Sequence, residues 1–138
     1  MSLSVDTCVL VDVLRGTRPN ARDRFFDLAA SVELNLCVFA FHELTYGAMV
    51  SHRPAEHLNR LEELLHFVTV RAWAKADAVV AAEIRIARRS QGRPAGVVDT
   101  LIAGQALARG WPVLTADVGD FEHVDGLTVI DWSAGAAV

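Results

Sequence analysis

Short apolar runs alternate with longer helical stretches along almost the whole chain, and that alternation leaves few folds open. Residues 3–6, 34–39, 67–70, 112–115 and 127–130 read as strands, because they are brief, apolar and bounded by turn or helix signals. Between them lie helices over 7–15, 20–31, 41–50, 56–65, 74–90 and 97–109. Gly16 and Gly110 stop two of these helices, and Arg53-Pro54 marks a break before another. Leu58, Leu61, Leu64 and Leu65 recur at helical spacing, as do Val79, Val80, Ile84 and Ala87. Strands alternating with helices imply a parallel sheet covered on both faces, and strands buried on both faces are nearly all apolar. The expected fold class is therefore α/β, a three-layer αβα sandwich around a central, mostly parallel five-stranded sheet. A chain of 138 residues with no internal repeat is expected to form one domain over 1–138.

In sheets of this kind, sites form outside the carboxyl ends of the strands. Four acids sit where such a site would be. Asp6 ends the first strand, Glu43 opens the helix after the second, and Asp117 follows the fourth. Asp99 lies in the first turn of the helix preceding the fourth strand, so it starts near the same edge. Each acid follows an apolar run, and buried like charges repel and need neutralising. A divalent cation is the simplest neutraliser, and hard cations such as magnesium and manganese prefer oxygen ligands. The alternative is ordinary capping, since helix N-termini attract carboxylates. Spacing alone does not count the ions.

Composition narrows the partners. The chain carries 13 basic and 17 acidic residues, a net charge of −4, so no overall basic balance supports nucleic-acid binding. Two local arginine runs qualify this. Arg85, Arg88, Arg89 and Arg93 form one, Arg15, Arg18, Arg22 and Arg24 the other, and both flank the expected edge of the sheet. Such runs read either as solvated faces or as phosphate contacts. His42-Glu43 begins a zinc-protease pattern, but Tyr46 stands where the second histidine belongs. Cys8 and Cys37 have no paired-ligand spacing and read as small buried hydrophobes. Trp73, Trp111 and Trp132 read as core or rim aromatics. With no signal-like or spanning segment, a soluble cytoplasmic protein is expected, with no membrane partner. A phospho-acceptor signalling module needs a lysine after the last strand, and the single lysine, Lys75, is elsewhere.

Four segments in order then resemble the PIN-domain family. They are Val5-Asp6-Thr7-Cys8, His42-Glu43-Leu44-Thr45-Tyr46-Gly47, Gly92-Arg93-Pro94 with Asp99-Thr100-Leu101-Ile102-Ala103, and Leu114-Thr115-Ala116-Asp117-Val118-Gly119-Asp120-Phe121. The resemblance covers nearly the whole chain at the length of the VapC type of toxin. It implies a Mg2+- or Mn2+-dependent endoribonuclease, the toxin of a toxin–antitoxin pair. Asp6, Glu43, Asp99 and Asp117 carry over as metal-binding acids, Thr115 as a hydroxyl at the site, and Asp120 can share or replace the role of Asp117. Where Cys8 stands the family often has Asn or Ser, a position expected to order the first turn. The implied chemistry is attack by a metal-activated water, leaving 3′-hydroxyl and 5′-phosphate ends. The implied partners are RNA, with transfer or ribosomal RNA loops as candidates, a VapB-type antitoxin seated in a groove of helices near the second acid, and a second copy in a homodimer. Two alternatives stay open: a catalytically inactive binding protein of the same fold, and a DNA nuclease of that fold.

Overall fold

The computed structural model describes residues 1–92 and 96–134. In chain order the elements are β1 (Ser2–Val5), α1 (Thr7–Arg15), α2 (Ala21–Ser31), β2 (Glu33–Cys37), α3 (Val38–Met49) and α4 (Pro54–Leu65). They continue with β3 (Thr69–Arg71), α5 (Lys75–Ser90), α6 (Val97–Arg109), β4 (Val113–Thr115), a 3-10 turn (Val118–Asp120) and β5 (Val129–Asp131). The five strands form one sheet in the order β3-β2-β1-β4-β5. Every neighbouring pair is parallel, with Ser4 opposite Val113 and Val5 opposite Leu114 at the centre.

Successive strand side chains point to opposite faces. Leu3, Ser4 and Val5 are all fully buried, as are Asn35, Leu36 and Cys37, so both faces of the central strands are covered. This is the expected three-layer arrangement. The chain builds outward from β1 through β2 to β3, then returns to place β4 on the other side of β1. Strand order therefore reverses between β1 and β4. The segments that follow the two strands, α1 after β1 and the 3-10 turn after β4, part there and leave a crevice at the strands' carboxyl ends.

The helices α5 and α6 pack closely enough to dispense with a side chain. A Cβ on Gly104 would stand 2.6 Å from the Cβ of Ala81 and 2.8 Å from its Cα. Two buried aspartates tie other elements together. Asp12 accepts the indole N–H of Trp132 at 2.8 Å, the Arg18 guanidinium at 3.3 Å and the Thr17 hydroxyl. Arg24 lies 4.0 Å over the Trp132 ring and donates to its carbonyl at 2.7 Å, fastening the end of β5 to α2. Asp77, the third residue of α5, accepts the N–H of Ala74 at 2.7 Å and the Arg109 guanidinium at 2.8 Å.

Two sequence expectations are corrected. The second strand ends at Cys37 rather than at 39, and α3 begins at Val38. Glu43 thus lies in the second turn of that helix instead of opening it. Val38 and Phe39 fit a buried helix as well as a strand, and periodicity does not separate the two in so short a run. Arg88 was read, with its neighbours, as part of a solvated face or as a phosphate contact. It is 7% exposed and its Nη1 donates to the carbonyl of Asp120 at 2.8 Å. Ala81, Ile84 and Arg88 share the buried stripe of α5, which is why this arginine turns inward. Arg85 and Arg89 are exposed, and Arg93 lies outside the described residues.

Candidate active site

Asp6 is the first residue beyond β1, held at the switch point by a bond from its own N–H to the carbonyl of Leu114, 2.9 Å. Its side chain caps α1, with Oδ1 accepting the Thr7 N–H at 2.8 Å. Its Oδ2 accepts the Thr115 hydroxyl at 2.8 Å and the Cys8 thiol at 3.1 Å. Capping and site geometry are therefore not alternatives for this residue. Thr115 ends β4, and its oxygen also accepts the N–H of Asp117 at 2.9 Å. One buried hydroxyl thus sets the distance between Asp6 and the loop carrying Asp117.

Glu43 reaches the same crevice from α3, where its Oε1 accepts the Thr7 hydroxyl at 3.3 Å. Asp99 arrives as the third residue of α6. Gly96 at the start of that helix leaves room for it, because a Cβ there would stand 3.2 Å from Asp99 Oδ2. Asp6, Glu43, Asp99 and Asp117 all line one open cavity of about 440 Å3, with Thr7, Cys8, Arg15 and Arg18 on the same wall. Thr115 works from behind that wall. Asp120 does not line the cavity, since the 3-10 turn and the Arg88 bond hold its backbone to one side.

The electrostatics report the crowding directly. Asp99 is pushed up to about 6, first by burial and then by the charges of Asp6, Asp120, Glu43 and Asp117. Asp6 is raised as well. Burial drives it, hydrogen bonds from Cys8, Thr115 and Thr7 oppose it, and the charge of Asp117 adds to it. Burial and the neighbouring Asp6 push the Cys8 thiol up to about 12. Among the described residues, none of the four cavity acids has a lysine or arginine within ion-pair distance. Carboxylate oxygens of Asp6 and Asp117 and the sulfur of Cys8 lie within 4.8 Å of one another. A donor set of that size and charge fits a divalent cation.

The model of the PIN domain family matches residues 3–127. The chain belongs to the PIN-domain family. Its similarity extends to the VapC type expected from the four motifs. It is 31% identical to the tRNA(fMet)-specific endonuclease VapC of Shigella flexneri, covering 96% of this chain and 99% of the relative. Identity to the Salmonella typhimurium protein of the same name is 30%, over 94% of this chain and 96% of that one. The DNA-bound VapBC structure from Salmonella typhimurium superposes with a TM-score of 0.87 at 26% identity, covering 96% and 98% of the two chains. VapBC2 from Rickettsia felis, bound to a promoter DNA fragment, gives a TM-score of 0.89 at 20% identity over 96% and 99%, a likeness of fold.

Within this PIN domain, sequence reasoning undervalued two residues. Cys8 was read from its spacing as a small hydrophobe and from the resemblance as a position that orders the first turn, and it donates to Asp6 at 3.1 Å and accepts the Ala116 N–H at 3.4 Å. Thr7 caps nothing by itself but steadies Glu43. Both stand within two residues of Asp6 in the first turn of a helix, where side chains share its end, and that position was the available signal. His42 is exposed on α3.

Proposed function

We propose that this PIN domain is a Mg2+- or Mn2+-dependent endoribonuclease, the toxin of a toxin–antitoxin pair. It cleaves phosphodiester bonds to leave 3′-hydroxyl and 5′-phosphate ends. The observation that carries this reading is the convergence of four carboxylates on one cavity, none of them ion-paired to a lysine or arginine among the described residues. Asp6, Glu43, Asp99 and Asp117 hold the metal. A bound divalent cation supplies an acidified water and polarises a phosphoryl oxygen.

The chain's own groups do the placing. The three hydrogen bonds to Asp6 fix both its oxygens before any ligand arrives. Thr115 is a positioning residue, because it links Asp6 to the Asp117 loop. Arg15, exposed on the cavity wall, offers a cation to the backbone of an RNA strand. The nucleophile is water and not the 2′-hydroxyl, which is why the phosphate stays on the 5′ side.

The relatives' names make transfer RNA the first substrate to test. A second groove, of about 520 Å3, is lined by Val11, Leu14, Leu44 and Leu61 and shares Thr7, Val11, Arg15 and Glu43 with the acid cavity. That continuity supports an antitoxin segment lying in the groove with a basic side chain among the acids. Exposed Val79 and Ile86 on α5 and Val97 on α6 support pairing with a second copy.

The test is cleavage of initiator transfer RNA with Mg2+ or Mn2+, against chelator and against Asp99→Asn, followed by end-group mapping. Cation-dependent cleavage with 5′-phosphate ends is expected, lost in the variant. A 2′,3′-cyclic phosphate, or cleavage that survives chelation, contradicts the reading.

A further inference from the structure

We propose that Arg18 is a phosphate-binding residue of the nuclease, gripping the RNA backbone at the end of the acid cavity away from the four carboxylates. This rests on the reading of the cavity as an RNA-cleaving site. It adds where along the strand the protein holds on.

The cavity has two chemically different ends. Thr7, Cys8, Val11, Asp12 and Arg15 line it, and their spacing puts them on one face of α1. The wall therefore follows that helix from end to end. The acids gather at its start, where Asp6 caps it and Glu43 accepts from Thr7. Arg15 closes the helix, and Arg18 stands in the turn just beyond Gly16, also on the cavity wall. Arg15 lines both this cavity and the neighbouring groove, whereas Arg18 lines this cavity and not that groove.

Arg18 is held in advance. The buried Asp12 carboxylate already accepts the Trp132 indole N–H at 2.8 Å and the Thr17 hydroxyl. It grips Arg18 through Nε at 3.3 Å, while the arginine side chain stays 41% exposed. Among the described residues Arg18 makes no other hydrogen bond or ion pair. Asp131 feels its charge but lies beyond ion-pair distance and is bonded instead to Ser133, at 2.6 Å and 2.9 Å. The two terminal amino groups of the guanidinium are thus left for a ligand, and a planar fork of donors matches a phosphate. From Thr7 to Asp12 the helix axis advances about 8 Å. A stacked strand advances about 3.4 Å per phosphate and an extended one roughly twice that. The phosphate that Arg18 holds is therefore roughly one or two nucleotides from the bond cleaved.

The experiment maps the cleavage site of the full chain in initiator transfer RNA or total RNA with Mn2+. It then uses a short RNA carrying that site, with a neutral methylphosphonate placed at one flanking phosphate at a time. KM and kcat are measured for wild type and for Arg18→Gln, which keeps an N–H donor for Asp12 and removes the cation. Circular dichroism checks the fold. On unmodified RNA the variant should raise KM about 10-fold with little change in kcat, since the contact is remote from the reacting atoms. Its salt dependence should fall by about one unit of slope. In wild type one methylphosphonate close to the cleaved bond should raise KM by a similar factor, and in Arg18→Gln the same substitution should add nothing. Arg18→Lys, which keeps the charge, should recover KM in part. An unchanged KM in Arg18→Gln, a loss confined to kcat, or a methylphosphonate penalty that persists in full in the variant overturns the role of Arg18 while leaving the nuclease reading intact. Wild type that cleaves no RNA overturns the nuclease reading and this role with it.

Discussion

Two aspartates occupy the same position on neighbouring helices and meet opposite fates. Asp77 is the third residue of α5 and Asp99 the third of α6, and the two helices pack against each other at Gly104. Burial works against ionisation of Asp77, yet Arg109 and the Ala74 N–H hold its carboxyl below the usual range. Burial also works against Asp99, but what faces it is Asp6, Asp120, Glu43 and Asp117, and its carboxyl is pushed up to about 6. The first acid is neutralised by the fold. The second is left for something the fold does not provide. Helix position and burial alone therefore do not separate a structural acid from a site acid, whereas the sign of the neighbouring charge does.

The sharpest way to break this contrast is Asp99→Asn. RNA cleavage should fall roughly 100–1000-fold, as when one charge-stabilising group is removed from a polar active site. Stability should move the other way. With its folded value raised to about 6, Asp99 binds a proton more tightly when folded than when unfolded, so wild-type stability declines as pH rises from about 4 through about 6. The asparagine variant should lack that decline and be more stable at pH 7 by about 1–3 kcal/mol. Urea unfolding across pH checks it. A variant that is less stable at pH 7 would place Asp99 with the structural acids.

Arg109→Ala probes the other partner in the contrast. It leaves Asp77, 1% exposed, without its counter-charge, and should cost roughly 3–5 kcal/mol. The lowered carboxyl of Asp77 gives stability above its ordinary value of 3.8 that is lost as pH falls through the folded value. The variant should therefore lose the acid-side part of the wild-type profile. A urea midpoint equal to wild type contradicts the assigned role of the pair.

Gly104→Ala tests the contact that holds the two aspartates' helices at their present separation. The added methyl meets Ala81 backbone, so one helix must shift, at a cost of about 1–3 kcal/mol. Cleavage should fall further than the stability loss explains, because α6 carries Asp99. The smallest effects are expected at Arg85 and Arg89, exposed at the far end of α5. Charge reversal at either should lower the salt dependence of RNA affinity by about one unit of slope. Arg88→Glu should instead destabilise the protein, since that side chain is buried and holds the Asp120 carbonyl.

Most of this architecture was legible because it rests on alternation and punctuation. Runs at 3–6 and 112–115, brief and set between helical stretches, read as buried strands, and Gly16 and Gly110 do take the left-handed φ of helix stops, +63° and +71°. The convergence of Asp6 and Asp117 follows from a strand order that puts β4 beside β1. Boundaries were less legible where side chains serve either structure. Val38 and Phe39 extended the second strand by two residues too many, and Glu43 moved a turn inward as a result. Arg88 was read by its arginine neighbours rather than by its spacing from Ala81 and Ile84, which puts it on the buried stripe. Cys8 by type reads as a small hydrophobe, and only the resemblance gave its position a part in the first turn, where it bonds the carboxylate two positions earlier. Whether Asp117 or Asp120 serves the cavity could not be told from spacing. Geometry puts Asp117 on its wall and leaves Asp120 acting through its field on Asp99.

Thermal unfolding with and without Mn2+, for wild type and Asp99→Asn at pH 7, tests most directly whether the cavity acids await a cation. Mn2+ at about 100 times its dissociation constant should stabilise wild type by roughly 2.7 kcal/mol and raise its Tm by several degrees. Asp99→Asn, already the more stable protein in the absence of metal, should gain nothing. A Tm that rises equally in both proteins, or in neither, contradicts a cation site built on Asp99.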